Sequence, residues 1–430
     1  MIPAQDEENT EIVAAEPQKL SNDEVLLHTA SLWKYQPIPD ASVEPNPMPE
    51  IYALHQDTKE GPIWGARVRG KKHKHEGTNS DDWFAVDAID RIRITAVADG
   101  AGSKHFSRIG AHDAAETAVS FLRMQLTDLL SQYDKPEELY TAAGITPEEG
   151  GISPVVHSLA QAVQKAMQEA YRAVRIAFLL RMREKRYADV LGRPLRLTDF
   201  SSTLLVVLWI PCGEPGPGKR DSIAISCQVG DGAIAAINAG AAFEDGEHLL
   251  CQADSGDFSG ETEFLTSQGK TDMESLQSRT RIYCGPITHI LVMTDGVSDD
   301  YYPAETEMRR LYCDLLVNNV LPLYGIAAED NSYSLDEIRS IRGLGKPIAF
   351  PWPNDKSISV ALHYMRRLCG KPEDLAHFWE EPRKLRLASA AVDIPDDIPV
   401  EQRMAKWLDN YVERSSFDDR TLVVMMESEP

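Results

Sequence analysis

The chain lacks the features that most quickly assign a protein to a compartment or a metal. Its six cysteines (Cys212, Cys227, Cys251, Cys284, Cys313 and Cys369) are scattered, with no CxxC and no Cys/His cluster. That distribution suits reduced thiols and argues against a zinc site. Basic residues are scarce: 44 Lys and Arg stand against 67 Asp and Glu, a net charge of −23. A chain this acidic is repelled by phosphate backbones and anionic bilayers, so neither nucleic-acid nor membrane-surface binding is expected. No apolar run approaches the roughly 18 residues a membrane span requires. The opening MIPAQDEENTEIV carries acids where an export signal carries Lys or Arg followed by an apolar stretch, so a cytoplasmic protein is expected. Internal repeats are also missing. What is present is a globular composition, 43% hydrophobic and 26% charged, over 430 residues. That length admits about three domains or one core with large insertions.

Residues 1–50 read as a largely disordered tail, acidic at first and punctuated later by Pro37, Pro39, Pro45, Pro47 and Pro49. Within it Asp23 to Tyr35 has the spacing of one short helix. From residue 51 onward the pattern is mixed. Phe84 to Val86 and Ile92 to Ala98 read as paired strands. Ile109 to Leu130 and Val155 to Arg186 carry apolar residues at three-to-four spacing and predict two long amphipathic helices. Strands return at Thr203–Ile210, Ile223–Val229, Gly232–Ile237, Arg281–Tyr283, His289–Thr294 and Thr421–Met426. Two strands, two helices and then many strands indicate an α+β protein with sheet layers covered by helices. Residues from about 300 to 415 are rich in helix formers, proline and aromatics, and read as a helical insertion.

Three apolar strands end at Asp-Gly: AVADGAGS at Asp99, QVGDGAIAAI at Asp231 and LVMTDGVSDD at Asp295. Two more strands are preceded by acidic pairs, NSDDWFAV at Asp81 and Asp82, and FDDRTLVVMM at Asp418 and Asp419. One Asp-Gly after a strand is usually only a turn. Five acidic strand ends, if they converge, would place four or more carboxylates face to face, which is tolerable only around cations. Oxygen ligands without His or Cys select a hard ion, Mn2+ or Mg2+. A pair of such ions generates a hydroxide nucleophile and neutralises a phosphoryl oxygen, which is the chemistry of phosphate-ester hydrolysis. The glycine after each Asp would let the chain turn sharply and let its carbonyl approach an ion.

The ordered set NSDDWFAV, VADGAGS, FSSTLLVVLWI, VGDGAIAAI, TDGVSDD and FDDRTLVVM resembles the metal-dependent serine/threonine protein phosphatases of type 2C. ETEFLT at Glu261 to Thr266 and the GS followed by SRIGA look like a divergent bacterial branch. The resemblance covers Trp64 to about Thr294 and Ser416 to Met426. It implies a four-layer αββα sandwich with two central, mostly antiparallel sheets, formed by residues 51–430 around the insertion. It also implies hydrolysis of phosphoserine and phosphothreonine by a metal-bridging water. Asp99 would bridge two Mn2+ or Mg2+ ions, with the Gly100 carbonyl on the second. Asp295 and Asp418 would complete the first, and Asp231 would hold a third. At the first motif an Asn-x-Asp register points to Asp81, which is preferred, and an acidic-pair register points to Asp82. Asp419 falls where the family has Asn and would support the site from behind.

Two features of the family are out of register. Its phosphate-gripping Arg is replaced by Glu76-Gly77-Thr78, and Ser103 stands where a His follows the DGxG turn. The basic run from Arg67 to His75 offers substitutes, with Lys72, His73 and Lys74 as the phosphate-binding candidates. His105 could supply a proton, although a surface His at a helix start is the plainer reading. These departures keep open a rival, a non-catalytic scaffold of the same fold. The resemblance implies as partners a phosphoprotein substrate, a cognate Ser/Thr kinase and a von Willebrand factor A protein.

Overall fold

The β-branched runs become strands because alternate residues can be buried on two faces. In Leu204–Pro211, Leu205, Val207 and Trp209 join one apolar cluster, while Leu204, Val206, Leu208 and Ile210 join the other. A strand buried on both sides is what a central layer requires. The computed structural model describes residues 33–42, 44–144, 151–212, 221–239, 247–251, 262–301, 304–317, 320–322, 398–410 and 417–428.

One antiparallel sheet has six strands: β1 (Ile51–Gln56), β2 (Ile63–Val68), β11 (Arg420–Met426), β10 (His289–Met293), β7 (Ala233–Ile237) and β8 (Glu247–Leu249), in that spatial order. The other has five: β3 (Trp83–Ile89), β4 (Ile92–Ala98), β5 (Leu204–Pro211), β6 (Asp221–Val229) and β9 (Thr280–Pro286). Every pairing is antiparallel. The helices are α1 (Lys71–Glu76), α2 (Ser107–Leu130), α3 (Pro136–Gly144), α4 (Pro154–Arg181), α5 (Lys185–Leu191), α6 (Met273–Arg279), α7 (Asp295–Ser298), α8 (Ala304–Val317) and α9 (Val400–Asn410). The first cluster binds the two sheets together and runs on into Met308, Leu311 and Leu315 of α8 and Met404 and Trp407 of α9. The second packs Ile92, Ile94 and Leu208 against Leu122 of α2 and Val163 and Met167 of α4. These are the four layers of an αββα sandwich. Each fully buried Leu, Ile or Val contributes about 1.5–3 kcal/mol, so both clusters are needed to hold the layers together.

The single helix expected over Val155 to Arg186 stops at Arg181, and α5 follows after a short break. Ser153 caps α4, its hydroxyl accepting the Val156 amide at 3.2 Å, with Pro154 at the first turn. Of the insertion expected near 300–415, α8 and α9 are described and residues 323–397 lie outside the described residues. Residues 1–32 of the expected tail, with most of the helix anticipated at Asp23–Tyr35, also lie outside them. Trp33 to Glu50 is tied to the body. Trp33 stacks on Phe417 at 4.8 Å between ring centroids, and the Gln36 amide donates to the Lys74 carbonyl at 2.7 Å. Further along, Glu44 pairs with Arg108 at 2.8 Å.

Candidate metal centre

Each acidic strand end is placed by the sheets. β4 delivers Asp99, and the turn after β6 delivers Asp231. Asp295 opens α7 just after β10, and Asp418 and Asp419 precede β11. Asp99, Asp231 and Asp295 bring carboxylate oxygens within 4.8 Å of one another. They are held there by backbone pairing: the Thr203 amide donates to the Asp99 carbonyl at 2.7 Å, and the Asp99 amide donates to Thr203 Oγ1 at 2.9 Å. Gly100 is bridged to Ser202 beside them. Burial, together with Asp295, Asp82 and Asp418, holds the Asp99 carboxyl well above the usual carboxylate range. Burial and Asp231 do the same to Asp295. Asp418 lies at the exposed rim and is raised by desolvation and by Asp419.

The two acids of the first motif are turned apart. Asp82 Oδ2 accepts from Thr294 Oγ1 at 2.9 Å and from Thr421 Oγ1 at 2.7 Å. Its buried Oδ1 has no donor among the described residues. Asp81 instead faces His73, with Oδ2 4.0 Å from Nε2. Asp82, the candidate of the acidic-pair register, thus turns toward Thr294 and Thr421, and Asp81, the candidate of the Asn-x-Asp register, turns toward His73. Asp419 is a clamp: its oxygens accept the Gly70 amide and the Asp81 amide, each at 2.5 Å, and it lies 3.8 Å from His73 Nδ1. Burial lowers the His73 pKa, but Asp419 and Asp81 outweigh it and push the imidazole up to about 9.

Of the three basic candidates, His73 is thus buried between two acids, and Lys74 Nζ contacts Asp409 and Glu50. Lys72 is exposed and close enough to Asp418 to favour its ionised form. His105 pairs with Glu44 at 3.3 Å. The arginines Arg67 and Arg69 are fully buried. Sequence reading missed the hydroxyls of Thr294 and Thr421 on Asp82 and of Thr262 on Asp231. Their one signal is adjacency to acidic motifs, as in Thr294-Asp295.

The glycines after the three Asp residues also serve close packing. None of Gly100, Gly232 and Gly296 has positive φ. A Cβ on Gly100 would lie 2.6 Å from the Asp81 carbonyl oxygen, on Gly232 2.4 Å from that of Met293, and on Gly296 1.9 Å from that of Asp419. Each glycine lets two acid-bearing segments approach closely.

An orphaned buried carboxylate oxygen on Asp82 and a cluster of mutually repelling carboxylates with no His or Cys in it among the described residues fit hard divalent cations. The chain belongs to the protein phosphatase 2C family, whose profile matches residues 69–320. That match ends before Phe417–Asp419, which β11 nonetheless returns to the site between β2 and β10.

No curated protein matches the chain. Similar solved structures include a serine-threonine phosphatase 2C from Toxoplasma gondii, 12% identical, covering 89% of this chain and 100% of its own, TM-score 0.37. The serine/threonine phosphatase Stp1 from Staphylococcus aureus is 11% identical, covering 92% and 99%, TM-score 0.32. The SiaA-PP2C domain of Pseudomonas aeruginosa is 10% identical, covering 94% of each chain, TM-score 0.29.

Proposed function

We propose that this chain is a serine/threonine protein phosphatase that works with Mn2+ or Mg2+ held by Asp82, Asp99, Asp231, Asp295 and Asp418 and by the Gly100 carbonyl. The observation that carries the reading is the meeting of Asp99, Asp231 and Asp295 from both sheets within 4.8 Å. A group of acids that disfavours its own charge in the absence of a cation is matched to one in its presence. Bound cations would supply an activated water and neutralise charge on the phosphoryl oxygens. Asp99 sits among the set: Asp295, Asp82 and Asp418 act on its charge, and an oxygen of Asp231 lies within 4.8 Å of one of its own. Thr294 and Thr421 fix Asp82 in one rotamer by engaging one oxygen and leaving the other. Asp419, itself beside His73, accepts the Gly70 and Asp81 amides and so sets the position of the first motif. Lys72 is the cation placed to meet an incoming phosphate at the rim.

The substrate of the proposed enzyme is a phosphoprotein. A cognate Ser/Thr kinase and a von Willebrand factor A protein are its proposed partners, and the cytoplasm its proposed location; no described helix is long and apolar enough to cross a membrane. Asp99→Asn tests the assignment. Hydrolysis of a phosphothreonine peptide and of a small aryl phosphate with Mn2+ should each fall at least about 100-fold. Equal turnover in the variant contradicts the ligand set. A wild-type protein that binds Mn2+ but hydrolyses neither substrate is the non-catalytic scaffold.

A further inference from the structure

The outward face of the C-terminal half of α4 is unlike the rest of this acidic molecule. Its inward face is made by Ala170, Val174 and Ala177, all buried in the second cluster. On the opposite side, at three-to-four spacing, stand Arg172, Arg175, Ile176, Leu179 and Leu180, which one helical face presents together, and Arg183 follows in the turn just past the helix end. Ile176, Leu179 and Leu180 are 56%, 50% and 61% exposed. Large aliphatic side chains clustered at that exposure mark an interaction site more often than scattered ones do. The charge around them is reversed: residues 169–189 carry six basic and three acidic side chains in a chain of net charge −23. Arg172 is paired with Glu169. Arg175 lies over the Tyr171 ring at 5.8 Å. Arg183 has no ion-pair partner among the described residues.

The patch is also at the functional end of the sandwich. Phe178, on the same helical turns, touches the Phe200 ring at 6.1 Å between centroids. Phe200 leads directly into Ser201 and Ser202, which pair with Ala101 and Gly100. Arg181, at the end of α4, approaches Asp113 of α2 at 3.9 Å, and α2 begins a few residues after Asp99. These contacts bring the end of α4 that carries the patch close to the segments flanking the Asp99 turn.

We propose that the exposed face of α4 is a docking surface for an acidic amphipathic segment of the phosphoprotein substrate. The inference rests on the phosphatase reading and adds to it a recognition surface separate from the metal centre. Leucine-like side chains of the segment would cover Ile176, Leu179 and Leu180, while its Asp or Glu side chains meet Arg175 and Arg183. Those two arginines attract acids locally where the molecule as a whole repels them. Neither basic nor neutral apolar segments satisfy both halves of the face. The stripe suits a helix laid along a helix.

Two measurements test this. The first is fluorescence anisotropy with a labelled helical peptide bearing leucines at i, i+3, i+4 and i+7 and glutamates between them, compared with its lysine counterpart. The full chain should bind the glutamate peptide, and Arg175→Glu with Arg183→Glu, or Leu179→Ser with Leu180→Ser, should weaken it at least about 10-fold. Indifference to both double variants, or equal binding of the lysine peptide, overturns the proposal. So does a dimer in sedimentation that the same variants dissociate, or tighter binding of a peptide of residues 1–32, since either makes the occupant this chain itself. The second measurement is turnover of a phosphothreonine peptide with and without the glutamate segment attached. The segment should lower KM at least about 10-fold in the wild type only, with kcat and aryl phosphate turnover unchanged in the variants. An unchanged KM overturns substrate docking. Absence of all hydrolysis with peptide binding intact marks failure of the phosphatase reading and, with it, of the substrate as occupant.

Discussion

At the scale of single residues, the site is defined by carboxyls whose charge the fold resists. Burial pushes Asp81 up to about 8, and burial with Asp419 pushes Asp82 up to about 7, from an ordinary value of 3.8. A raised carboxyl means that the folded, metal-free protein keeps protons that the unfolded chain releases. The associated stability is complete below about pH 4 and is lost as the pH rises through about 7 to 8. A cation favours the ionised forms and so releases those protons on binding. In a chelator the melting temperature should therefore fall as pH is raised from about 5 to about 8, and the rise on adding Mn2+ should grow over the same interval, by up to about 1.4 kcal/mol per pH unit for each coupled proton. Differential scanning calorimetry across that range checks it. A Mn2+ effect that is flat with pH would mean that these acids are not linked to the metal.

At the scale of elements, a strand was legible where a run of β-branched residues is closed by Asp-Gly: β4 spans Ile92–Ala98 as its pattern predicts. β2 was not legible, because Gly65 and Arg67 interrupt IWGARV. Both interruptions have tertiary causes. The Phe84 ring occupies the space of a Gly65 Cβ, 2.3 Å away, and Arg67 lies 5.2 Å from the Trp83 ring. The helix formed by KKHKHE was not legible either: α1 buries His73 between Asp81 and Asp419. Partners so far apart in the chain leave no local trace. The choice between Asp81 and Asp82 was equally hidden, since adjacent residues point to opposite sides and only the surrounding elements decide which side is the site. The Asp-Gly pairs were visible, but their purpose was not: the glycines serve close packing between acid-bearing segments. Gly296→Ala should force α7 away from Asp419, costing about 1–3 kcal/mol. Urea unfolding measures this, and a midpoint equal to wild type would contradict the close approach.

At the scale of the molecule, a net charge of −23 and a phosphorylated substrate look incompatible until the charge is located. Several of the acids converge at one end of the sandwich, where divalent cations would turn a repulsive region into an attractive one. Lys72 at the rim and the basic stripe of α4 lie at that same end. More than a hundred residues separate Asp418 from Asp295 in sequence, yet the antiparallel pairing of β10 with β11 brings the two segments side by side. The whole arrangement depends on cations at the acid cluster being what hydrolyses the phosphate. Turnover of a phosphothreonine peptide by one sample, measured with Mn2+, then with excess chelator, then with Mn2+ restored, tests this directly. The account predicts hydrolysis that falls at least about 100-fold in chelator and returns on re-addition; hydrolysis indifferent to chelator, or none with Mn2+ bound, would contradict it.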